Sequence, residues 1–580
     1  MAFILKCDEN GVESKWENLQ TPYLVKKCNE QSHTYVCCEF SSVGDELLTS
    51  KWNNDNNLLP KYETYLAVKT DIKRRKIYIA NSISGLIPAY YYCKNGRFCI
   101  SDNFWEAINY IKPTKDDLDI ECIKEFMAIP YPLLNRTFIK NVNILLPNTL
   151  LEISIDTLQI KSKRLFNISY TNDKHDLDDE LESFYKNLDS LFGRIKKECG
   201  NVNYGVGISG GIDSRIIPHF AQKNFMKIKG FIFGVKRPHY FWISQDHSNA
   251  RKIARKYNIP LMEITWDHNT LDEKLEQEMK VYPLGSSELF KFEFVDDFDV
   301  LIHGGNGYVV GSSLPPNIKN MDDKELASAI RKLGILFYPK SLISARIEKI
   351  VQYLFKKNII IRSHIKWFDS LVSEEIEEKI NLDIKSFIKQ KRDQEYNNID
   401  IFEEYFHCIL GAKNKFGAFE SICGTKRSFS IYMPYLLKES LSWDFELLQD
   451  RTLLKKFISK YLKNLSEIGE QNYKGRIQKK NNTLTRFFSI VKFILKGNGT
   501  SNLDEKYFDS AMRKYYETMD SNINGWFYSI FNIHSYIKDI AKFDNPRVAT
   551  RVWKMKMVLD EIENCSYKRF LINSGGDIVE

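Results

Sequence analysis

No run of about eighteen apolar residues occurs in this chain, so no transmembrane helix is expected. No Cys-x-x-Cys pair occurs among the 11 cysteines, and their number is odd. Neither a zinc site nor a disulfide framework is therefore indicated. Buried thiols in a reducing, cytoplasmic setting are the expectation. The opening residues, Met1-Ala-Phe-Ile-Leu-Lys6-Cys-Asp8, lack a basic region followed by a long apolar core, which reads against a signal peptide. Neither sign of charge dominates. The 83 basic and 75 acidic residues leave a net charge of +8, too mild an excess for a dedicated nucleic-acid binder. No internal repeat is visible.

What is present is material for large cores. The chain is 580 residues long and 43% apolar, more than one hydrophobic core accommodates, so two or more domains are expected. The pattern changes near residue 170. Before it, short alternating segments at 62–68, 76–80, 90–93 and 97–100 predict strands, with turns at Ser84-Gly85 and Asn95-Gly96. After it, short apolar runs at 201–208, 229–235, 260–264 and 300–303 predict buried strands. Helical periodicity at 214–225 and 247–257 separates the first three, and strands alternating with helices imply a parallel sheet. From about residue 320 the pattern is mostly helical, as over 371–391, with a break at 497–502. The apolar stretch 487–495, flanked by Arg486 and Lys496, fits a basic helix on a membrane surface or, better, a helix packed on the protein's own core.

The most specific stretch is Tyr204-Gly-Val-Gly-Ile-Ser209-Gly210-Gly211-Ile212-Asp213-Ser214-Arg215. It reads as an apolar strand, a glycine turn, then an acid and a hydroxyl opening a helix. Gly210 and Gly211 lack a Cβ, so the backbone can curl and aim several N–H groups at one point. Such a nest at a helix N-terminus attracts phosphate. Ser209 and Ser214 add hydroxyls, and Asp213 is placed to hold a divalent metal. No lysine follows the glycines, which sets the string apart from the G-x-x-x-x-G-K-[ST] loop. A plain strand-to-helix turn with a serine cap is the bland alternative. The string resembles the PP-loop of ATP pyrophosphatases, which split ATP between its α- and β-phosphates.

A wider resemblance follows the order of weaker matches along the chain. Asp71 through Tyr91, containing Arg74-Arg75, Gly85, Pro88 and Tyr90-Tyr91, looks like the glutaminase-type domain of class B asparagine synthetases. Ser101-Asp102 and the stretch from Arg136-Thr137-Phe138 to Leu146-Pro147 fit that domain's end. Phe231-Ile-Phe233-Gly234 resembles the family's adenine-side strand. Asp246 with Ala250 matches the next helix, and Pro434-Tyr435-Leu436 the helical part. The resemblance implies an α/β protein in two parts. Residues 1–170 would form a degenerate glutaminase-type αββα sandwich of Ntn type. Residues 171–580 would form a PP-loop synthetase unit, a parallel α/β sheet with a large helical extension.

The departures from the family are informative. Its glutaminases use an N-terminal cysteine, whereas position 2 is Ala2 and the next thiol, Cys7, lies inside a predicted strand. Glutaminase activity is therefore expected to be absent, as in β-lactam synthetases and lasso-peptide cyclases, which use other amines. The family's second metal-binding aspartate falls on Asn306 or Tyr308 within His303-Gly304-Gly305-Asn306-Gly307-Tyr308, depending on one gap. An Asn carbonyl ligates magnesium without adding charge. Asp213 alone, an acid such as Asp296 or Asp297, or a loss of catalysis are the remaining alternatives. His303 reads as a ligand or base, or more simply as a buried strand end.

The implied chemistry is ATP-dependent amide formation. A substrate carboxylate attacks the α-phosphorus of ATP, giving an acyl-adenylate and pyrophosphate, and an amine then displaces AMP. The implied cofactors are ATP and Mg2+. Ser209, Gly210, Gly211, Asp213, Ser214, Phe233 and Gly304 would face the nucleotide, and Asp213 and Asn306 the metal. The family's lysine would be Lys474 in Tyr473-Lys474-Gly475-Arg476, or Lys479 or Lys480; a solvated charge is the bland alternative for each. The partners expected are small-molecule or peptide carboxylate and amine substrates, with no nucleic acid, and a homodimer is allowed. A catalytically silent nucleotide- or partner-binding homologue and a tRNA-modifying PP-loop enzyme are the alternatives.

Overall fold

The protein is described from a computed structural model. The structure describes residues 2–8, 11–17, 24–29, 32–38, 40–49, 59, 63–128, 132–166, 176–233, 241–264, 279, 283–284, 298–304, 315, 317–335, 374–405, 427–432, 447, 451–468, 525–531 and 546–571. The expectations for 234–235, 296–297, 305–311, 434–436 and 473–502 lie outside these residues.

The first eleven strands build two antiparallel sheets. They are β1 (Ala2–Asp8), β2 (Gly11–Glu17), β3 (Leu24–Asn29), β4 (Ser32–Cys38), β5 (Tyr65–Asp71), β6 (Lys76–Asn81), β7 (Tyr90–Lys94), β8 (Arg97–Ser101), β9 (Val142–Ile144), β10 (Thr149–Ser154) and β11 (Ile160–Arg164). One sheet runs β2-β1-β8-β7-β9 and the other β11-β10-β6-β5-β4-β3. The strand expected over 62–68 lies at Tyr65–Asp71 instead, and the other three stand within a residue of their expected positions. Asn95 and Gly96 join β7 to β8 with φ of 54° and 71°, the left-handed pair that a two-residue hairpin turn needs.

Side-chain alternation sets the layering. In β5, Leu66 and Val68 face one core while Tyr65 and Ala67 face another. Leu66 and Val68 meet Leu5, Phe98 and Ile100 of the other sheet, so the two sheets stack face to face. The outer face of the β7–β8 sheet carries α2 (Phe104–Ile111) and α3 (Ile120–Ala128), through Trp105, Ile108, Ile123 and Phe126. The outer face of the other sheet carries α1 (Ser41–Thr49), through Val43 and Leu47. This is the expected αββα sandwich. Ala2 heads β1 opposite Glu17, and Cys7 is buried mid-sheet between Val12 and Phe98.

Helix α4 (Leu177–Cys199) joins the sandwich to a third, parallel sheet. Its buried side chains Leu181, Phe184, Leu188, Leu191 and Ile195 recur every three or four residues, and Phe192, four beyond Leu188, widens the same apolar stripe. Each such side chain contributes on the order of 2 kcal/mol on burial. The Asp176 side chain accepts the Asp178 N–H at 2.7 Å and caps the start. Gly200, at φ 73°, ends the helix. On the sandwich side, Ser41 Oγ donates to Glu198 at 3.1 Å and Arg194 donates to Glu63 at 3.1 Å.

Beyond α4 lie β12 (Tyr204–Gly207), α5 (Ile217–Asn224), β13 (Ile228–Phe233), α6 (Phe241–Lys256), β14 (Leu261–Ile264), β15 (Val300–His303) and β16 (Arg427–Ser430). These strands form one sheet in the order β14-β13-β12-β15-β16, and every neighbouring pair is parallel. The chain therefore steps outward from β12 to one edge, then returns and steps to the other. The protein is α/β, as the sequence predicts. Two helix boundaries differ from expectation. Residues 213–215 form a 3-10 turn and α5 starts only at Ile217, with Pro218 in its first turn, where the missing N–H costs nothing. Helix α6 starts at Phe241, six residues before the expected 247. Later helices include Asp323–Ile335, Glu374–Arg392 and Thr452–Tyr461. Among the described residues no helix is long and apolar enough to cross a membrane.

One charged cluster ties α3 to helix Glu374–Arg392. Arg136 donates to both oxygens of Glu125 at 2.9 Å, to Asp119 at 2.8 Å and to Asp383 at 3.4 Å. Burial pushes the Glu125 carboxyl up to about 7, against the pull of Arg136, and the Asp383 and Asp119 charges add to the rise. A carboxyl that holds its proton more tightly in the fold stabilises it fully below the unfolded value of 4.5, and loses that contribution as pH rises through about 7. Thermal stability is therefore expected to fall between about pH 5 and about pH 8, and Glu125→Gln to flatten that fall by about 2 kcal/mol. Calorimetric melts of both proteins across this range check it, and parallel curves would refute it.

Candidate functional site

The parallel sheet places the glycine loop where such sheets take ligands. The strand order reverses at β12, because β13 lies on one side and β15 on the other. Parallel sheets of this kind take ligands beyond the carboxyl ends of the strands at such a switch point, here those of β12 and β15. The loop of residues 208–216 leaves β12 on this edge, and His303-Gly304 leaves β15 beside it. The two chain segments touch. A Cβ at Gly304 would lie 3.2 Å from the Asp213 carbonyl carbon and oxygen and from Ser214 Cα. Gly304 thus allows a close backbone approach.

The loop is braced internally. Ser209 Oγ lies 2.6 Å from Ser214 Oγ, and the Gly211 N–H donates to Ser209 Oγ at 3.1 Å. The Ser209 N–H donates to Ser214 Oγ at 3.1 Å. The hydroxyls expected to face phosphate are thus turned onto the loop's own backbone. Gly210 and Gly211 are not among the left-handed glycines, which are Gly85, Gly96 and Gly200 among the described residues. What these two supply is the absence of a side chain, not a left-handed turn.

Three later segments hold the loop from outside. Arg215 is fully buried. It donates to the carbonyls of Gly210 at 2.9 Å, Ile468 at 2.6 Å and Leu465 at 3.3 Å. Tyr432, two residues past β16 and fully buried, donates its hydroxyl to the Asp213 carbonyl at 2.5 Å. Burial raises the Tyr432 hydroxyl well above its ordinary value, the Asp213 charge adds to the rise, and Arg451 opposes it, so the hydroxyl stays a donor. Arg451, immediately before helix Thr452–Tyr461, reaches the Asp213 carboxylate with Nη1 3.2 Å from Oδ2. Their side chains are 36% and 22% exposed, so solvent reaches the pair.

The expected site residues divide into three groups. Ser209, Gly210, Gly211, Asp213, Ser214 and Gly304 are brought together on one edge. Phe233 ends β13 on that same edge, two residues beyond Phe231, whose carbonyl accepts the Ile208 N–H at 2.9 Å. Asn306, Tyr308, Lys474, Lys479 and Lys480 lie outside the described residues. His303 is buried at the end of β15, and its carbonyl accepts the Ile431 N–H at 3.2 Å. Sequence reasoning missed Arg215, Tyr432 and Arg451. Tyr432 had a signal, since it lies two residues before Pro434 of the resemblance; Arg451 had none.

The metal that the resemblance implies needs oxygen donors, and the donor set is poor. Among the described residues no group of three or more His, Cys, Asp or Glu side chains converges as a metal site. The loop's one carboxylate, Asp213, is ion-paired with a protein cation. The described residues alone therefore do not supply the ligands of a resident divalent ion.

No known family description matches the sequence, and no curated protein matches it. Solved structures give partial likenesses. An allosteric regulatory enzyme of purine biosynthesis is 10% identical, covering 36% of this chain and 54% of its own, with a TM-score of 0.18. The glutamine phosphoribosylpyrophosphate amidotransferase of B. subtilis, complexed with ADP and GMP, is 11% identical over 36% of this chain and 54% of its own, with a TM-score of 0.17. A tRNA thiolase of Methanococcus maripaludis, with its 4Fe–4S cluster, is 11% identical over 42% of this chain and 84% of its own, with a TM-score of 0.20. The chain thus spans about half the length of the first two. Superpositions at these scores fix neither a family nor an activity.

Proposed function

We propose that this chain is an ATP-dependent ligase of the asparagine-synthetase type that joins a carboxylate to an amine with release of AMP and pyrophosphate. The observation that carries the reading is the Ser209–Arg215 loop at the switch point of a parallel sheet, braced by its own serines and closely approached by Gly304. A carboxylate oxygen attacks the α-phosphorus, the bond to the β-phosphate oxygen breaks, and pyrophosphate carries that electron pair away. The amine nitrogen then attacks the acyl carbon, AMP leaves, and the amine proton passes to solvent or a base. Two anions meet in the first step, so fixed N–H dipoles and a nearby cation are what the protein must supply. Magnesium enters as part of the nucleotide substrate complex. The division near residue 170 belongs to this proposal, with the αββα sandwich as a structural partner of the synthetase unit. So does a cytoplasmic setting, suited to the buried thiols of Cys7, Cys37, Cys38, Cys99 and Cys122, which form no disulfide.

Exchange of labelled pyrophosphate into ATP, driven by a panel of carboxylic acids, tests the reading. Exchange above the acid-free control is expected with at least one acid, and none with any acid would remove the ligase reading. Glutamate release from glutamine is expected to stay at the no-enzyme level, because Cys7 is buried near the end of β1, paired with Val12 and Phe98. The Asp213–Arg451 pair favours one second reading, a silent homologue that binds nucleotide without turnover. Nucleotide binding without exchange is its signature.

A further inference from the structure

The mismatch at Asp213 points to a different way of balancing phosphate charge. We infer that Arg451 does at this loop what a divalent cation would do: it offsets Asp213 and offers its other N–H groups to a polyphosphate chain. The site then binds a nucleoside triphosphate or pyrophosphate with no resident metal. The inference rests on the nucleotide reading of the loop proposed above.

Three observations carry it. The first is charge. With Asn306 or Tyr308 where the resemblance expects a second acid, a resident divalent ion at the loop would have to share Asp213, the loop's carboxylate among the described residues, with a guanidinium 3.2 Å away. Cations sharing one carboxylate repel each other, and magnesium also demands near-octahedral oxygen ligation. The second is donor geometry. A guanidinium has five N–H groups in a planar fork, more than one carboxylate takes up, and its nearest approach to Asp213 is by Nη1. N–H groups that the carboxylate does not engage suit phosphate oxygens. The third is backbone conformation. Arg451 has φ 56° and ψ 35°, a left-handed conformation that a non-glycine residue adopts at a cost of about 1 kcal/mol. Such positions concentrate at ligand clamps. Here it falls at Arg451, which immediately precedes helix Thr452–Tyr461 and whose guanidinium meets the loop.

Titration calorimetry with ATP and with inorganic pyrophosphate, in EDTA and then in magnesium chloride, tests the inference. The native chain is expected to bind both ligands in EDTA. Arg451→Gln should weaken binding in EDTA by about tenfold or more, and Arg451→Lys should restore part of it. Asp213→Asn, which releases the guanidinium, should leave binding in EDTA as tight or tighter. Circular dichroism confirms that each variant is folded. Binding by the native chain in magnesium alone would overturn the inference and leave the ligase reading standing. So would an Asp213→Asn variant that loses binding while Arg451→Gln keeps it. No binding of either ligand in either buffer would overturn both.

Discussion

Arg215→Met is expected to be the most damaging single change at the loop, lowering stability by on the order of 3 kcal/mol. The side chain is fully buried and its guanidinium donates to three carbonyls, those of Gly210, Leu465 and Ile468. Two opposing effects decide the outcome. Methionine removes the cost of burying a charge, and buried ion pairs replaced as whole units by apolar groups sometimes gain stability. Here the partners are backbone carbonyls, which remain when the arginine goes. Each acceptor left without its donor costs about 1–3 kcal/mol, so the loss wins. Arg215→Lys keeps the charge but loses the fork, and should fall between. Because the chain has several cores, a single unfolding free energy is a poor readout. Hydrogen exchange of residues 208–216 and 462–468 is the better measurement. Exchange in both segments should rise together in Arg215→Met, and native rates in either would show that the arginine does not tie them.

The part of this architecture that the sequence discloses is the part written in local patterns. Strand alternation puts Leu66, Val68, Ile77 and Ile79 on one face of a sheet and Tyr65, Ala67, Tyr78 and Ala80 on the other, and Asn95-Gly96 dictates a hairpin. The run from Tyr204 to Arg215 carries a strand, a glycine turn and an acid in sequence order, so the loop is legible before any contact is known. What holds the loop is not legible, because each brace comes from far along the chain. Tyr432 is 219 residues from Asp213, and Ile468 is 253 residues from Arg215. Nothing local distinguishes Arg451 from dozens of other basic residues. Helix Thr452–Tyr461 packs against α4, through Phe457 and Phe184 with ring centroids 4.9 Å apart, a contact no local pattern announces. The metal expectation rests on residue type at Asp213, and the ion pair depends on a neighbour that residue type cannot supply.

Gly304→Val is expected to abolish most nucleotide binding while leaving the protein folded. Even a single methyl at Gly304 would lie 3.2 Å from Asp213 and Ser214 backbone atoms, tighter than ordinary contact. Backbone cannot rotate away as a flexible side chain can, so the loop itself must move by a few tenths of an ångström. Gly304→Ala should therefore weaken ATP binding by a few-fold. Valine adds two more methyls against the same backbone, and overpacking of this kind costs about 1–3 kcal/mol, or about tenfold or more in affinity. The strain falls on the loop because Gly304 stands beyond the last paired residue of β15, where His303 still pairs with Ser430. The sheet behind it, built on Val206, Leu301 and Ile302, keeps its core, so melting should change little. Calorimetry with ATP and thermal melts on both variants check this. Unchanged affinity in Gly304→Val would mean that the loop is not where nucleotide binds, and a collapsed melt would mean that Gly304 serves the sheet instead of the site.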